Sequence, residues 1–227
     1  MKIFPLILRT VLLTALLVIG SQAAHAQAFV TLYSFLGQTG SQATTSPTSG
    51  LPTNATAGVI GRGSGITAAT APDSMNATAW TTGAVIDVND YFEFTVAPSS
   101  GFALNMSQLQ FNVRKSGSGA GSAEVRSSLD SYGATVGTAL TVNSAAAGTD
   151  GIVSLTGAAF QGVSTPITFR IYGYNSQNAG GSMQLQNGTA GGLEISGTVI
   201  AIPEPASLAL VGLTLLPGAA LLRRRRK

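Results

Sequence analysis

Three stretches of this chain alternate apolar and polar residues with a period of two, and that period constrains the fold more than any other feature. In Tyr91–Ala97, Phe92, Phe94 and Val96 point one way and Tyr91, Glu93 and Thr95 the other. Ile167–Tyr174 sets Ile167, Phe169 and Ile171 against Thr168, Arg170 and Tyr172, and Leu193–Val199 groups Leu193, Ile195 and Val199. Phe29–Phe35, Val125–Leu129, Thr138–Val142, Gly151–Leu155 and Ser182–Gln186 are weaker strand candidates. In Leu104–Val113 the apolar parity slips between Met106 and Leu109, which predicts a bulge or bend there. No segment between residues 28 and 200 has a convincing helical period. With 28 glycines and only 9% charged residues, the turns and surfaces must be built from short polar side chains. The expectation is an all-β domain, a two-sheet antiparallel sandwich of jelly-roll-like character. Residues 37–84 are the exception. They are rich in Thr, Ser, Ala and Gly, and read as a long decorating loop or a partly disordered segment whose far end Trp80 anchors to the core.

Missing residue types narrow the chemistry. The chain has no cysteine, and its one histidine, His25, lies in the N-terminal segment. A folded part without His or Cys excludes Ser-His-Asp and Cys-His catalysis and the usual zinc and copper sites. The formal charge of +3 comes from the ends: Lys2 and Arg9 at one, Arg223, Arg224, Arg225, Arg226 and Lys227 at the other. Between Gln27 and Ala201 stand five basic residues (Arg62, Arg114, Lys115, Arg126, Arg170) and eight acidic ones, a net charge of −3. No clustered cations are left to meet nucleic acid. Lys115, beside Arg114 and a Gly-Ser turn, reads as solvated and charged. The acids are scattered without a recognisable motif, so no catalytic residue, and no cofactor, is expected.

The two ends read as routing signals. Residues 1–26 carry a basic start, the apolar run Val11–Gly20 and the small residues Ala24 and Ala26 flanking His25, the pattern of a secretory signal peptide cut between Ala26 and Gln27. At the other end, residues 202–227 place Pro203-Glu204-Pro205-Ala206, an apolar run Ala206–Leu222 and the five terminal cations in that order. The prolines hold the motif extended and remove backbone donors. The run spans 17 residues, a transmembrane helix of about 25 Å, slightly short of a hydrocarbon core of about 30 Å. The cations Arg223–Lys227 act as a cytoplasmic stop. This order and spacing closely resemble the PEP-CTERM sorting signal of bacterial exported proteins, with Ile202 where that family often has Val. The resemblance implies recognition by an exosortase in the inner membrane, transient retention there after the signal peptidase has acted, and delivery to the cell surface or outside the cell. It also implies an association with exopolysaccharide and biofilm material. Residues 27–201 are then the exported domain.

Within that domain, Arg62-Gly63-Ser64-Gly65, Tyr91-Phe92-Glu93-Phe94, Arg126-Ser127-Ser128-Leu129-Asp130 and Phe169-Arg170-Ile171-Tyr172 resemble a β-sandwich domain of such secreted bacterial proteins. This resemblance implies the fold and brings no catalytic residues. Asp87, Asn89 and Asp90 precede a strand; they read as a polar Asx turn, with a Ca²⁺ site as the sharper alternative. Glu124 and Arg126 share a strand face and read as an ion pair. Candidate sugar-stacking aromatics are Tyr91, Tyr132, Tyr172, Tyr174 and Trp80, with Tyr172 and Tyr174 on one strand face; outward tyrosines are equally ordinary strand formers. The favoured function is a non-catalytic envelope or matrix component, followed by a carbohydrate-binding module and, last, a carboxylate-only glycoside hydrolase.

Overall fold

The computed structural model describes residues 26–50 and 53–203. The signal-peptide residue Ala24, Glu204, Pro205, Ala206 and the terminal cations Arg223–Lys227 lie outside the described residues; Ala26 and Pro203 are at their limits and are exposed. Among the described residues no helix is long and apolar enough to cross a membrane.

Among the described residues, thirteen strands run in the order β1 (Gln27–Tyr33), β2 (Ala55–Ala57), β3 (Gly61–Arg62), β4 (Thr67–Ala69), β5 (Ser74–Thr78), β6 (Tyr91–Pro98), β7 (Phe102–Lys115), β8 (Ser122–Ser127), β9 (Leu140–Thr141), β10 (Thr149–Ser154), β11 (Ile167–Tyr174), β12 (Met183–Gln186) and β13 (Leu193–Ala201). They form two antiparallel sheets. The seven-stranded sheet holds β1, β13, β7, β12, β5, β4 and β10, and the six-stranded sheet holds β2, β3, β6, β11, β8 and β9. Alternation decides which side faces in. Phe92, Phe94 and Val96 of β6 are buried, as are Ile167, Phe169 and Ile171 of β11 and Leu193, Ile195 and Val199 of β13. An aromatic contact bridges the two sheets, Tyr33 of β1 lying 5.6 Å from Phe94 of β6, and within the six-stranded sheet Phe94 stacks on its strand neighbour Phe169 at 5.6 Å. The all-β arrangement of two antiparallel sheets expected from the period-two pattern is the one observed.

The parity slip in β7 has a structural cause. Ser196 of β13 pairs with Gln108 but Gly197 pairs with Met106, so Ser107 is an extra residue on β7. Leu104 and Met106 face the core before it, and Leu109, Phe111 and Val113 after it. The bulge resets the strand so that both halves bury their apolar side chains. β7 also organises its sheet. It pairs with β13 up to Gln110 and with β12 from Asn112 to Lys115, while β10 pairs across both over Gln108–Val113. A strand has two edges, so β13 and β12 share one and β10 takes the other.

Residues 37–84 depart from expectation. They contain β2 to β5, with Ile60, Ile66, Met75 and Ala77 buried in the core. Sparse in bulky residues, this stretch is held by backbone and by one cation. The Arg62 guanidinium donates to the carbonyls of Gly40, Gln42 and Asn76, and burial lowers its pKa. Trp80 closes the stretch as expected: it is 1% exposed, and its indole N–H donates to Ala77 O at 2.7 Å. Its ring packs on Gly173, where an added Cβ would lie 2.6 Å from Trp80 Cε3.

Candidate functional site

The outward side chains of β6, β11 and β8 fall into rows because the three strands pair in register. Tyr91, Tyr172 and Glu124 stand opposite one another in one row, and Glu93, Arg170 and Arg126 in the next. Two arginines directly opposite would repel. Each is neutralised by its own carboxylate: Arg170 Nε donates to Glu93 Oε2 at 3.0 Å, and Arg126 Nε to Glu124 Oε1 at 2.6 Å. The ion pair read from Glu124 and Arg126 is therefore present, and it belongs to a larger array.

Tyr132 completes that array from a loop. After β8 a single 3₁₀ turn, Ser128–Asp130, leads into Ser131 and Tyr132, both with left-handed backbone at φ 58° and 61°. Two consecutive non-glycine residues in that region are costly, by about 1–3 kcal/mol each. They are held there by Tyr132 N donating to Ser127 O at 2.9 Å, by Arg126 Nη1 donating to Tyr132 O at 2.9 Å, and by Ala134 N donating to Asp130 Oδ2 at 2.9 Å. The result is a tyrosine ring over Arg170. The Arg170 guanidinium carbon lies 4.0 Å from the Tyr132 ring centre and 3.9 Å from that of Tyr91, so the cation is flanked by two aromatic rings. Burial alone would lower the Arg170 pKa, but the bonds to Tyr172 and Glu93 and the nearby phenols outweigh it and the pKa rises. The Tyr91 hydroxyl is pushed up, by burial first and by the Glu93 charge second, so it stays a neutral donor. Tyr91, Glu93, Arg126, Tyr132 and Arg170 are all partly exposed.

Of the five aromatics singled out from sequence as candidate sugar contacts, Tyr172 and Trp80 are not exposed on this surface. Tyr172 faces outward from its strand yet is 1% exposed, because Tyr91 packs edge-on against it at 5.5 Å and Arg126 lies over its ring. Trp80 is in the core. Tyr174 remains half-buried on the same strand face as Tyr172. Of the five, Tyr91 and Tyr132 are the two whose rings flank Arg170 on this surface. Their partner Arg170 was legible only as an outward residue, since nothing in the sequence pairs a loop tyrosine with a strand arginine.

Asp87, Asn89 and Asp90 form the polar turn. Asp87 Oδ1 accepts from Asn89 N at 2.9 Å, and Asp90 N donates to Asp87 O at 3.2 Å. Asp90 is turned inward, 4% exposed, accepting from Thr81 N at 2.7 Å. Burial raises its pKa, the Thr81 N–H opposes this, and Asp87 adds to the rise. Among the described residues no group of three or more His, Cys, Asp or Glu is placed to hold a metal. An open hollow of about 330 Å³ beside the 3₁₀ turn is lined by Asp130, Thr135, Val136 and Phe160. Its acid, Asp130, is occupied in holding the Tyr132 loop.

No protein-family model matches this chain, and no curated protein matches it. Among solved structures, a match is the A domain of epithelial adhesin 6 from Candida glabrata, solved in complex with Galβ1-3GlcNAc. It is 10% identical over 82% of this chain and 84% of that one, with a TM-score of 0.19, too low to carry an argument about fold or ligand.

Proposed function

We propose that this protein is an exported cell-surface or extracellular-matrix component, processed by an exosortase, and that its sandwich works without catalysis in envelope or biofilm material associated with exopolysaccharide. The observation that carries this reading is the ordered C-terminus: Pro203-Glu204-Pro205, an apolar span and a terminal cation cluster, opposite an N-terminal signal-peptide pattern. The fold is compatible with such handling. Ile202 N still donates to Gly101 O at 2.8 Å, so the motif starts where the sheet stops. Gln27 pairs with Val199, so both ends of the sandwich leave from the same side of the domain.

The disposition of the acids supports a non-catalytic role. Asp73 holds Gly37 N, Asp87 holds Asn89 N, Asp90 holds Thr81 N and Asp130 holds Ala134 N. Glu93 and Glu124 hold arginines, and Asp150 accepts from Asn112 and Thr189. Seven of the eight acids in the exported domain thus have structural partners, whereas a carboxylate-only hydrolase needs two acids facing a substrate. A second reading, a carbohydrate-binding module, is favoured by the aromatic array on the six-stranded sheet.

Replacing Pro203-Glu204-Pro205 with three alanines tests the routing. Export should persist, and full-length protein should accumulate in the inner membrane, as read by fractionation and immunoblot. Normal surface release of that variant would defeat the proposal.

A further inference from the structure

The outer face of the six-stranded sheet presents hydrogen-bonding groups that its own fold leaves unengaged. An arginine has five N–H donors. Arg170 uses Nε toward Glu93 and Nη1 toward the Tyr172 hydroxyl, the latter at 3.4 Å. Among the described residues, its Nη2 group has no partner, nor do Glu93 Oε1 and the hydroxyls of Tyr91 and Tyr132. Donors, acceptors and two partly exposed rings therefore lie within one small patch, pinned from below by the Arg126–Glu124 pair and by the Arg126 grip on the Tyr132 carbonyl.

We propose that Tyr91, Glu93, Tyr132 and Arg170 form a binding site for a neutral polysaccharide of pyranose units. A pyranose offers an apolar C–H face and vicinal hydroxyls, each both donor and acceptor. A tyrosine ring takes the C–H face; one hydroxyl donates to Glu93 Oε1, and its neighbour accepts from Arg170 Nη2. Two arginines and two glutamates cancel, so the patch has no net charge to select an anionic chain. The side chains are already held in place, so little ordering accompanies binding. Lying on the open surface of a sheet rather than in an enclosed pocket, the patch suits the interior of a long chain. The inference deepens the exopolysaccharide association proposed above and rests on it.

The test is co-sedimentation of the purified full-length chain, in detergent, with insoluble cellulose, β-1,3-glucan and chitin, with immobilised alginate as the anionic arm. Wild-type protein should be retained on at least one neutral polysaccharide and not on alginate alone. Tyr132→Ala and the near-isosteric Glu93→Gln should each weaken retention by about tenfold or more, with circular dichroism spectra and melting temperatures close to wild type. The site is refuted if wild type binds no neutral polysaccharide, binds only alginate, or binds undiminished after both substitutions. Should Tyr132→Ala lose its fold, Glu93→Gln alone decides. Because retention is read on purified protein, its failure leaves the export reading standing, and a failed export experiment leaves the binding result standing.

Discussion

The two outer faces of this sandwich are built from different side chains and treated differently by the rest of the chain. On the seven-stranded sheet, outward positions of β7 and β12 carry five amides, Gln108, Gln110, Asn112, Gln184 and Gln186, with Arg114 beside them. The segment 145–148 lies over part of them. Asn112 Nδ2 donates to Ala147 O at 2.9 Å and to Asp150 Oδ1 at 2.7 Å, and Gln186 Nε2 to Ala146 O at 3.0 Å. Gly148, with φ +68°, packs so tightly that a Cβ there would lie 2.1 Å from Asn112 Oδ1. Here polar groups serve the fold. On the six-stranded sheet the outward polar groups are mostly charged or phenolic, beside the Thr95–Thr168 hydroxyl pair, and the charged and phenolic ones are locked against each other while keeping donors and acceptors toward solvent. A closed polar face contributes to stability; an open, rigid one is available for a ligand.

The sharpest break of this contrast comes from Asn112→Ala. It removes the buried Asn112 donor from the Ala147 carbonyl and the Asp150 carboxylate, and should cost about 1–3 kcal/mol. Tyr132→Ala on the open face should cost less, about 0.5–1 kcal/mol, the worth of one partly exposed cation–π contact. Urea denaturation of both variants checks the order; equal costs, or the reverse order, would erase the distinction between the faces.

Smaller effects come from two acids whose pKa values move in opposite directions. Hydrogen bonds from Asn112 and Thr189 hold the Asp150 carboxyl below its usual range. Its contribution is therefore present above the unfolded value of about 3.9 and is lost as pH falls through the lower folded value. Asp150→Asn should destabilise the domain at pH 7, by under about 1 kcal/mol given its exposure, and make no difference in strong acid. Asp90, raised mainly by burial, works the other way: its contribution is present below pH of about 4 and is lost as pH rises through the folded value. Asp90→Asn keeps an acceptor for Thr81 and should raise the melting temperature at pH 7. Thermal melts across pH 2–8 read both signs.

How much of this was legible beforehand follows from the kind of interaction involved. Core strands announced themselves because burial enforces a period of two; even the Ser107 bulge showed as a parity slip between Met106 and Leu109. The strands β2 to β5 did not show, because they are short runs of small residues without a hydrophobic period and the stretch is held by Arg62 gripping three carbonyls. Tyr172 was placed on the correct strand face, but an outward direction is not exposure. Tyr91 and Arg126 cover it, and only the β6–β11–β8 register reveals that. Tyr132 was one tyrosine among five until two left-handed residues turned its ring onto Arg170.

The most direct measurement of the contrast between the faces is an amide NMR titration of residues 27–201 with a soluble neutral glucan oligosaccharide. Shifts should concentrate at Tyr91, Glu93, Arg126, Tyr132 and Arg170, while the side-chain amides of Asn112 and Gln186 stay still. Shifts centred on the amide face, or none on either face at saturating sugar, would contradict the account.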